Sequence, residues 1–171
     1  MRMLPNENYD ELLRLAALSR SGAVHAPPSA GLDEIAEIAK AAFGAMAGMV
    51  TLVCADRQVF KAAAGVEPME TPREASFCTH CIAYRNLLWI EDTLEDPRVF
   101  DNPFVVGEPH VRFYAGAPIR DVDGWLLGTV CVVDTVPRPY DAALSDILTD
   151  LAERATRHIL SDASFPLLKR G

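Results

Sequence analysis

Two cysteines, Cys78 and Cys81, lie at the start of a segment that the sequence predicts to be helical. At a helix N-terminus the backbone amides and the helix dipole stabilise a thiolate, which lowers the pKa of the thiol and raises its reactivity. Together with Cys131, these residues could form a thiol redox sensor or a reductase. The competing interpretation is packing, because free cysteine is among the most buried residue types. We favour packing and keep the redox interpretation as an alternative.

Two histidines, His80 and His110, are candidate ligands for a metal, for haem iron or for a small molecule. A structural zinc site needs four ligands. Residues one or two positions apart on a short helix, such as Cys78, His80 and Cys81, do not face the same point. The sequence has no second pair of ligands at zinc spacing. We therefore predict no metal site and name no cofactor, and both histidines remain candidates for contact with a small ligand.

A long irregular segment, residues 91–110, contains three steps of an acidic residue or asparagine followed by proline. A connection of this length inside a compact domain is usually functional or carries a short helix of its own. Residues 98–106 are the predicted helix. Asp101 and Asn102 are turn-forming residues, since both types hydrogen-bond to nearby backbone. We expect them also to shape the mouth of a ligand pocket.

Arg112 and Tyr114 begin the strand that follows this segment. The arginine could hold an anionic ligand through two parallel hydrogen bonds. It could equally form a structural ion pair with Asp96 or Asp101, and the sequence leaves both interpretations open. In the same strand, Gly116 predicts a close approach of another group or a bulge.

The periodicity of apolar residues predicts the elements that carry these side chains. The predicted helices are 9–20, 32–46, 77–84 and one that begins after Asp141, and the predicted strands are 49–55, 58–63, 87–90, 113–119 and 125–134. The last of these strands is almost continuously apolar, which is typical of a central strand. This order predicts an α+β domain, with one antiparallel sheet and helices packed against it.

Composition limits the classes of function. The chain has 171 residues, half of them hydrophobic, which suits one domain with a substantial core. A net charge of −8 argues against binding to nucleic acid or to an anionic membrane, because phosphate contacts need Lys and Arg. The sequence has neither an apolar run of membrane-spanning length nor the apolar core of a signal peptide. We therefore expect a cytoplasmic protein with reduced thiols.

Five short motifs occur in a fixed order along the chain and together carry a family resemblance. They are ASFCTH at 75–80, DPR at 96–98, DNP at 101–103, RFYAGAP at 112–118 and LGTVCVVD at 127–134. Over residues 32–159 the chain resembles the GAF domains that precede bacterial histidine kinases and diguanylate cyclases. The resemblance implies a GAF/PAS-like α+β fold, in which a central antiparallel sheet has helices on both faces. It also implies a ligand pocket between the sheet and a layer of loops and helices.

The resemblance implies a function as well. We expect a sensory or regulatory domain, not an enzyme, that works in bacterial two-component or cyclic di-GMP signalling. It would bind a small molecule of unknown identity and pass the signal to an output protein or domain through a homodimer of terminal helices. A structural dimerisation module with no ligand is the remaining alternative. The expected divisions are an N-terminal dimerisation helix at 1–24, a GAF domain at 31–160 and a flexible tail at 161–171.

The candidate site residues fall into two groups. The predicted ligand-binding residues are Phe77, Cys78, His80, Asp101, Asn102, His110, Arg112 and Tyr114. The predicted dimer contacts, chosen because the first helix has little of its own domain to cover, are Leu12, Leu13, Leu151 and Ile159.

The sequence departs from three specialised kinds of GAF domain. It lacks the Asn-Lys-Phe-Asp-Glu set of those that bind cyclic nucleotides. Its only Cys-X-His, at Cys78, lies in an earlier helix than the one that carries the bilin-attaching pair. Its cysteines also do not match the positions used by the free methionine sulfoxide reductases.

Overall fold

The structure is a computed structural model, which describes the backbone of residues 5–168 and the side chains of residues 10–161. The helices of this part of the chain are α1 (Pro5–Ser21), α2 (Ala30–Phe43), α3 (Phe77–Tyr84), α4 (Pro103–Val106) and α5 (Ala142–Leu168). The strands are β1 (Ala47–Val53), β2 (Arg57–Ala64), β3 (Glu70–Pro72), β4 (Leu88–Ile90), β5 (Phe113–Arg120) and β6 (Leu126–Asp134). None of the described helices is both long enough and apolar enough to cross a membrane.

The six strands form one sheet in the order β3-β2-β1-β6-β5-β4, and every neighbouring pair is antiparallel. The predicted α+β class is therefore confirmed. The strand β6 lies between β1 and β5 and every one of its residues is buried, as its apolar sequence predicts. The edge strand β3 was missed, because two of its three residues, Glu70 and Pro72, are of types that are uncommon in strands.

One face of the sheet is covered by α2 and α5, which pack against each other and against the strands. The core here includes Ile35, Leu52, Leu127 and Leu148, all fully buried. The helix α2 approaches β1 so closely that a Cβ added at Gly48 would overlap the backbone of α2. Small residues on both elements thus allow the close packing that the alanine-rich sequence of α2 predicts.

The opposite face is covered by α3, α4 and the segments that join them to the sheet. Its separate core includes Val53, Phe77, Val99, Tyr114 and Cys131. Helices therefore lie on both faces of the sheet, as expected. The bounds of α3 match the prediction to the residue.

The helix α1 differs from the expectation that it stands apart from its own domain. Ala17 and Leu18 are buried in the core of the α2–α5 face. The guanidinium of Arg14, on the same helix, donates hydrogen bonds to the carbonyls of Val53 at 2.9 Å and Leu126 at 3.1 Å. These carbonyls lie at the end of β1 and the start of β6, so α1 is anchored to the two central strands.

Two of the four predicted dimer contacts need correction for the same reason. Leu151 and Ile159 are only 2% and 3% exposed, because α5 packs them into the core formed with α2. Leu13 is half-buried and Leu12 is 66% exposed. Only the first helix thus presents a predicted dimer residue to solvent. The helix α5 continues to Leu168, so the expected flexible tail at 161–171 is helical as far as the structure describes it.

Candidate functional site

A cavity of about 130 Å³ lies between the sheet and the layer that contains α3 and α4. Its mouth includes the exposed residues Met69 and Pro109, and its base includes the buried residues Cys78, Tyr114 and Cys131. The remaining lining residues are mostly apolar: Met46, Met49, Gln58, Phe60, Val66, Thr71, Ala75, Ser76, Phe77, Phe104, Val111 and Val133. The cavity thus runs from the surface to the central strand β6.

The roof of the cavity is held in place by Asn102. Its side-chain amide donates to the carbonyl of Ala75 at 3.0 Å, and its side-chain oxygen accepts from the amide of Phe104 at 2.9 Å. The second bond is an N-cap of α4, which is a common use of asparagine. Asn102, predicted to bind ligand, is therefore a buried positioning residue. It joins α4 to the segment before α3 and so places Phe104 over the cavity.

The wall opposite the roof is formed by Tyr114 on β5. Its ring stacks on Phe77, with the ring centroids 5.5 Å apart. A Cβ added at Gly116 would overlap the Tyr114 side chain, so the glycine lets the ring lie along its own strand. This close approach is the one that the sequence predicts at Gly116. The hydroxyl of Tyr114 consequently reaches the Sγ atom of Cys78, at 3.3 Å.

The Sγ atom of Cys78 has two further neighbours. The hydroxyl of Thr129 donates to it at 3.1 Å, and the Sγ atom of Cys131 lies 3.7 Å away. Burial raises the pKa of the Cys78 thiol, but hydrogen bonds from Cys131, Thr129, Thr51 and Tyr114 outweigh it and lower this pKa to about 6. The hydrogen bond to Cys78 and burial together raise the pKa of Cys131 well above its usual range. The two thiols thus differ strongly in their tendency to ionise.

Cys81 has different surroundings, although it follows Cys78 in the predicted motif. Its Sγ atom lies 3.4 Å from the carbonyl oxygen of Gly116 and 3.5 Å from that of Asn86. Burial and the negative charge of Cys78 raise its pKa to about 12. The surroundings of Cys81 fit the packing interpretation. The sulfur that contacts Cys78 is instead that of Cys131 on β6.

Polar groups occupy one side of the cavity, on the edge strand β3 and its neighbour β2. Gln58 and Thr71 are directly opposite each other in the pairing of these strands. The hydroxyl of Ser76 hydrogen-bonds with the side-chain oxygen of Gln58 and does not cap α3, although Ser76 precedes the helix as predicted. The hydroxyl of Thr71 is buried and has no hydrogen-bond partner within the described part of the chain. An unpaired buried hydroxyl costs free energy, so this group favours a ligand that can bond to it.

Five of the eight predicted ligand-binding residues do not line this cavity, namely Asn102, Arg112 and the three described next. Asp101 and His110 are exposed. His80 is half-exposed on the outer side of α3, where burial and the charge of Arg98 lower its pKa. The structure therefore brings together Phe77, Cys78 and Tyr114 from the predicted set and leaves the other five outside the lining.

Arg112 also has a role that neither sequence interpretation describes. Its guanidinium donates to the backbone carbonyls of Val105 and Val111, at 3.0 and 3.1 Å. The predicted ion pair with Asp96 or Asp101 is not formed, because Asp96 pairs with Arg98 at 2.6 Å. Arg112 therefore holds the end of α4 against the start of β5, beside the cavity and outside its lining.

Sequence reasoning missed Gln58, Thr71 and Thr129. They lie on three different strands, and only the register of the sheet brings them to the same face. The signal available in the sequence was a polar residue within an otherwise apolar strand, which Thr129 in β6 displays most clearly.

A wider depression of about 1000 Å³ lies elsewhere, beside β4 and α5. It is lined by side chains of both charges, including Arg120, Arg157, Asp121 and Glu153. Its walls lack the apolar enclosure that binds small molecules well. Among the described residues, no group of histidine, cysteine and acidic side chains could hold a metal ion.

Known proteins are similar to this chain in sequence and in fold. A cyclic di-GMP phosphodiesterase of Pseudomonas aeruginosa is 36% identical over 129 residues, which are 75% of this chain and 22% of that protein. The chain thus spans about a fifth of the length of this relative.

Two solved structures illustrate the likeness in fold. The GAF domain of an Acinetobacter phosphoenolpyruvate-protein phosphotransferase superposes with a TM-score of 0.66 at 14% identity, over 91% of this chain and 95% of that one. The free methionine-R-sulfoxide reductase of Neisseria meningitidis gives a TM-score of 0.63 at 17% identity, over 84% and 85% of the chains. The GAF domain model matches residues 27–159. The chain belongs to the GAF domain family, whose members are generally regulatory.

Proposed function

We propose that this GAF domain is a sensor that binds a small, largely apolar molecule in the cavity between β6 and α3. The observation that carries the proposal is the apolar lining of the cavity together with one unpaired buried hydroxyl, that of Thr71. Apolar walls supply most of the binding free energy of such sites, while a few polar groups orient the ligand.

The size and polarity of the cavity define the ligand class. A volume of about 130 Å³ is close to that of an engineered protein cavity of about 150 Å³ that binds benzene. The hydroxyl of Thr71 adds one hydrogen-bonding position at the edge of the apolar surface. A single ring with one polar substituent, such as phenol, fits this description.

The first prediction concerns phenol and toluene, which have similar shapes and differ in one hydroxyl group. We expect phenol at ten times its dissociation constant to raise the melting temperature by roughly 4 °C, because binding to the folded state adds about 1.4 kcal/mol. Toluene should bind more weakly, since it leaves the Thr71 hydroxyl unpaired. The measurement is calorimetric titration and thermal unfolding with each compound.

Two variants control this prediction. Val66→Phe places a ring in the mouth of the cavity and should abolish binding, whereas the same change at Val122, which is 85% exposed on the β5–β6 turn, should leave it unchanged. Thr71→Val should remove the preference for phenol. Equal binding by Val66→Phe and the parent protein would contradict the proposed site.

We also propose that occupancy of the cavity is relayed to α1. Arg73 lies two residues before the cavity-lining segment 75–78 and donates to the carboxylate of Glu11 on α1, at 2.6 Å. The same guanidinium donates to the carbonyl of Cys54 at 3.1 Å. Ligand that shifts this segment therefore changes the anchoring of α1. The coupling requires only that the ligand prefers one arrangement of this contact.

The relay predicts an effect on hydrogen exchange. Saturating phenol should slow the exchange of α1 amides in the parent protein, and Arg73→Met should abolish this change while phenol still binds. Arg57→Met is the matched control, because Arg57 pairs with Asp56 and Glu70 and not with α1. An α1 response that persists in Arg73→Met would refute this route.

The cellular location and the signalling role of the domain are inferred from its family. We propose that the domain works in the bacterial cytoplasm as part of a signalling protein and controls an output rather than catalysing a reaction. The relative from Pseudomonas aeruginosa, named as a cyclic di-GMP phosphodiesterase, supports an output in cyclic di-GMP signalling. A homodimer would form through the solvent side of α1, where Leu12 is exposed.

A further inference from the structure

Two sulfur atoms from different elements meet at the base of the cavity. Cys78 lies in the first turn of α3 and Cys131 in the middle of β6, and their Sγ atoms are 3.7 Å apart. A disulfide bond is near 2.05 Å, so the sulfurs need to approach by about 1.7 Å. Both side chains border the open volume of the cavity, which leaves room for them to rotate.

The surroundings give the two thiols different chemistry. The hydroxyls of Thr129 and Tyr114 both point at Cys78, where they stabilise a thiolate. The thiolate is the nucleophilic form of cysteine, whereas Cys131 stays protonated because its pKa is raised. This pairing of an ionised thiol with a protonated neighbour suits an attacking thiol and a resolving thiol.

We propose that Cys78 and Cys131 form a dithiol that reacts with hydroperoxides and closes to a disulfide between α3 and β6. The inference uses the cavity of the proposed function as the entry route, but it does not require that a ligand binds there. The apolar lining favours an alkyl hydroperoxide with a small hydrocarbon body.

The chemistry proceeds in two balanced steps. The Cys78 thiolate, whose proton has passed to solvent, attacks the terminal peroxide oxygen; the O–O bond breaks, an S–O bond forms, and the leaving alkoxide takes a proton from solvent to become an alcohol. The product is a sulfenic acid. The Cys131 sulfur then attacks the Cys78 sulfur, the S–S bond forms, and the hydroxyl leaves with the Cys131 proton as water. Two electrons pass from the thiols to the peroxide, and a dithiol reductant reverses the change.

The disulfide would alter the same elements that the ligand contacts. It ties the first turn of α3 to β6 and converts the Cys78 thiolate, which Thr129 and Tyr114 now contact, into a neutral disulfide sulfur. Because α3 follows the segment that carries Arg73, oxidation is expected to act on the contact between Arg73 and Glu11 as well.

The test is peptide mapping of the reduced protein after treatment with tert-butyl hydroperoxide. Trypsin releases Cys78 and Cys81 together on residues 74–85 and Cys131 on residues 121–154. The proposal predicts a cross-link between these two peptides. A disulfide between Cys78 and Cys81 would instead form a loop within one peptide, and either that product or four unmodified thiols would overturn the proposal.

Three variants sharpen this test. Cys131→Ser should stop the reaction at a sulfenic acid on Cys78, which dimedone traps, whereas Cys78→Ser should give neither adduct nor cross-link. Cys81→Ser is the matched control and should form the cross-link at the parent rate. Phenol binding is measured separately on the reduced protein, so oxidation without phenol binding would refute only the proposed ligand. Phenol binding without oxidation would refute only the dithiol.

Discussion

Arg14→Met is expected to lower the free energy of unfolding by about 4 kcal/mol. The Arg14 side chain is 5% exposed and donates to two backbone carbonyls and to the carboxylate of Glu11. Removing one partner of a buried charged network leaves the others unsatisfied, which costs about 3–5 kcal/mol. Chemical denaturation followed by circular dichroism measures the change.

The control for this prediction is Arg85→Met. Arg85 also pairs with α1, through Asp10 at 3.1 Å, but its side chain is 63% exposed. Exposed pairs contribute about 0–1 kcal/mol, so this variant should remain near the parent stability. If both variants lost a similar free energy of unfolding, the burial of the Arg14 side chain would not account for the docking of α1.

The pH dependence of the Arg14→Met effect follows from Glu11. Burial raises the pKa of this carboxyl, but hydrogen bonds from Arg14 and Arg73 outweigh it and lower the pKa to about 2. Its contribution to stability is therefore present above about pH 4.5 and is lost as the pH falls towards 2. The difference between parent and variant should accordingly shrink in acid, while the part due to the Val53 and Leu126 carbonyls remains.

Leu151→Ala is expected to lower the free energy of unfolding by about 3 kcal/mol, independently of protein concentration. The side chain is 2% exposed in the core between α2 and α5, and truncation of such a leucine costs about 2–5 kcal/mol. The melting temperature should fall by roughly 9 °C. Thermal unfolding at two protein concentrations, tenfold apart, separates a core residue from an interface residue, because only interface contacts depend on concentration.

The matched control is Leu12→Ala on α1. Leu12 is 66% exposed, so its truncation should change the stability of the monomer by less than about 0.5 kcal/mol and should weaken a dimer built on α1. Light scattering reports the mass of each variant. If Leu151→Ala were a stable monomer while Leu12→Ala remained a dimer, Leu151 would be a dimer contact. That result would contradict the packing described above.

The elements that carry the site were predictable because their signals are local. The Ser76 start signal before α3 and the apolar run of β6 depend only on neighbouring residues, and both elements form where the sequence places them. Phe77, Cys78 and Tyr114 reach the cavity for the same reason, since each lies on a correctly predicted element. The resemblance to GAF domains added the expectation that a layer of loops and helices covers the sheet and encloses a pocket with it.

The parts that were missed depend on contacts between distant segments. Arg14 is buried because two carbonyls from β1 and β6 lie beside it, and nothing in the sequence of α1 reports them. The pair Cys78 and Cys131 likewise arises from the packing of α3 on β6, whereas the sequence drew attention to Cys81. The orientation of Arg112 toward backbone carbonyls is a further contact of this kind.

The proposed ligand site is the cavity at the base of α3, and a crystal structure of the protein soaked with phenol would locate the bound molecule. We expect phenol in the cavity, with its hydroxyl within hydrogen-bonding distance of Thr71 and its ring against Phe77 and Val133. Phenol in the wide depression beside Trp89 and Tyr140, with the cavity empty, would contradict this assignment of the site.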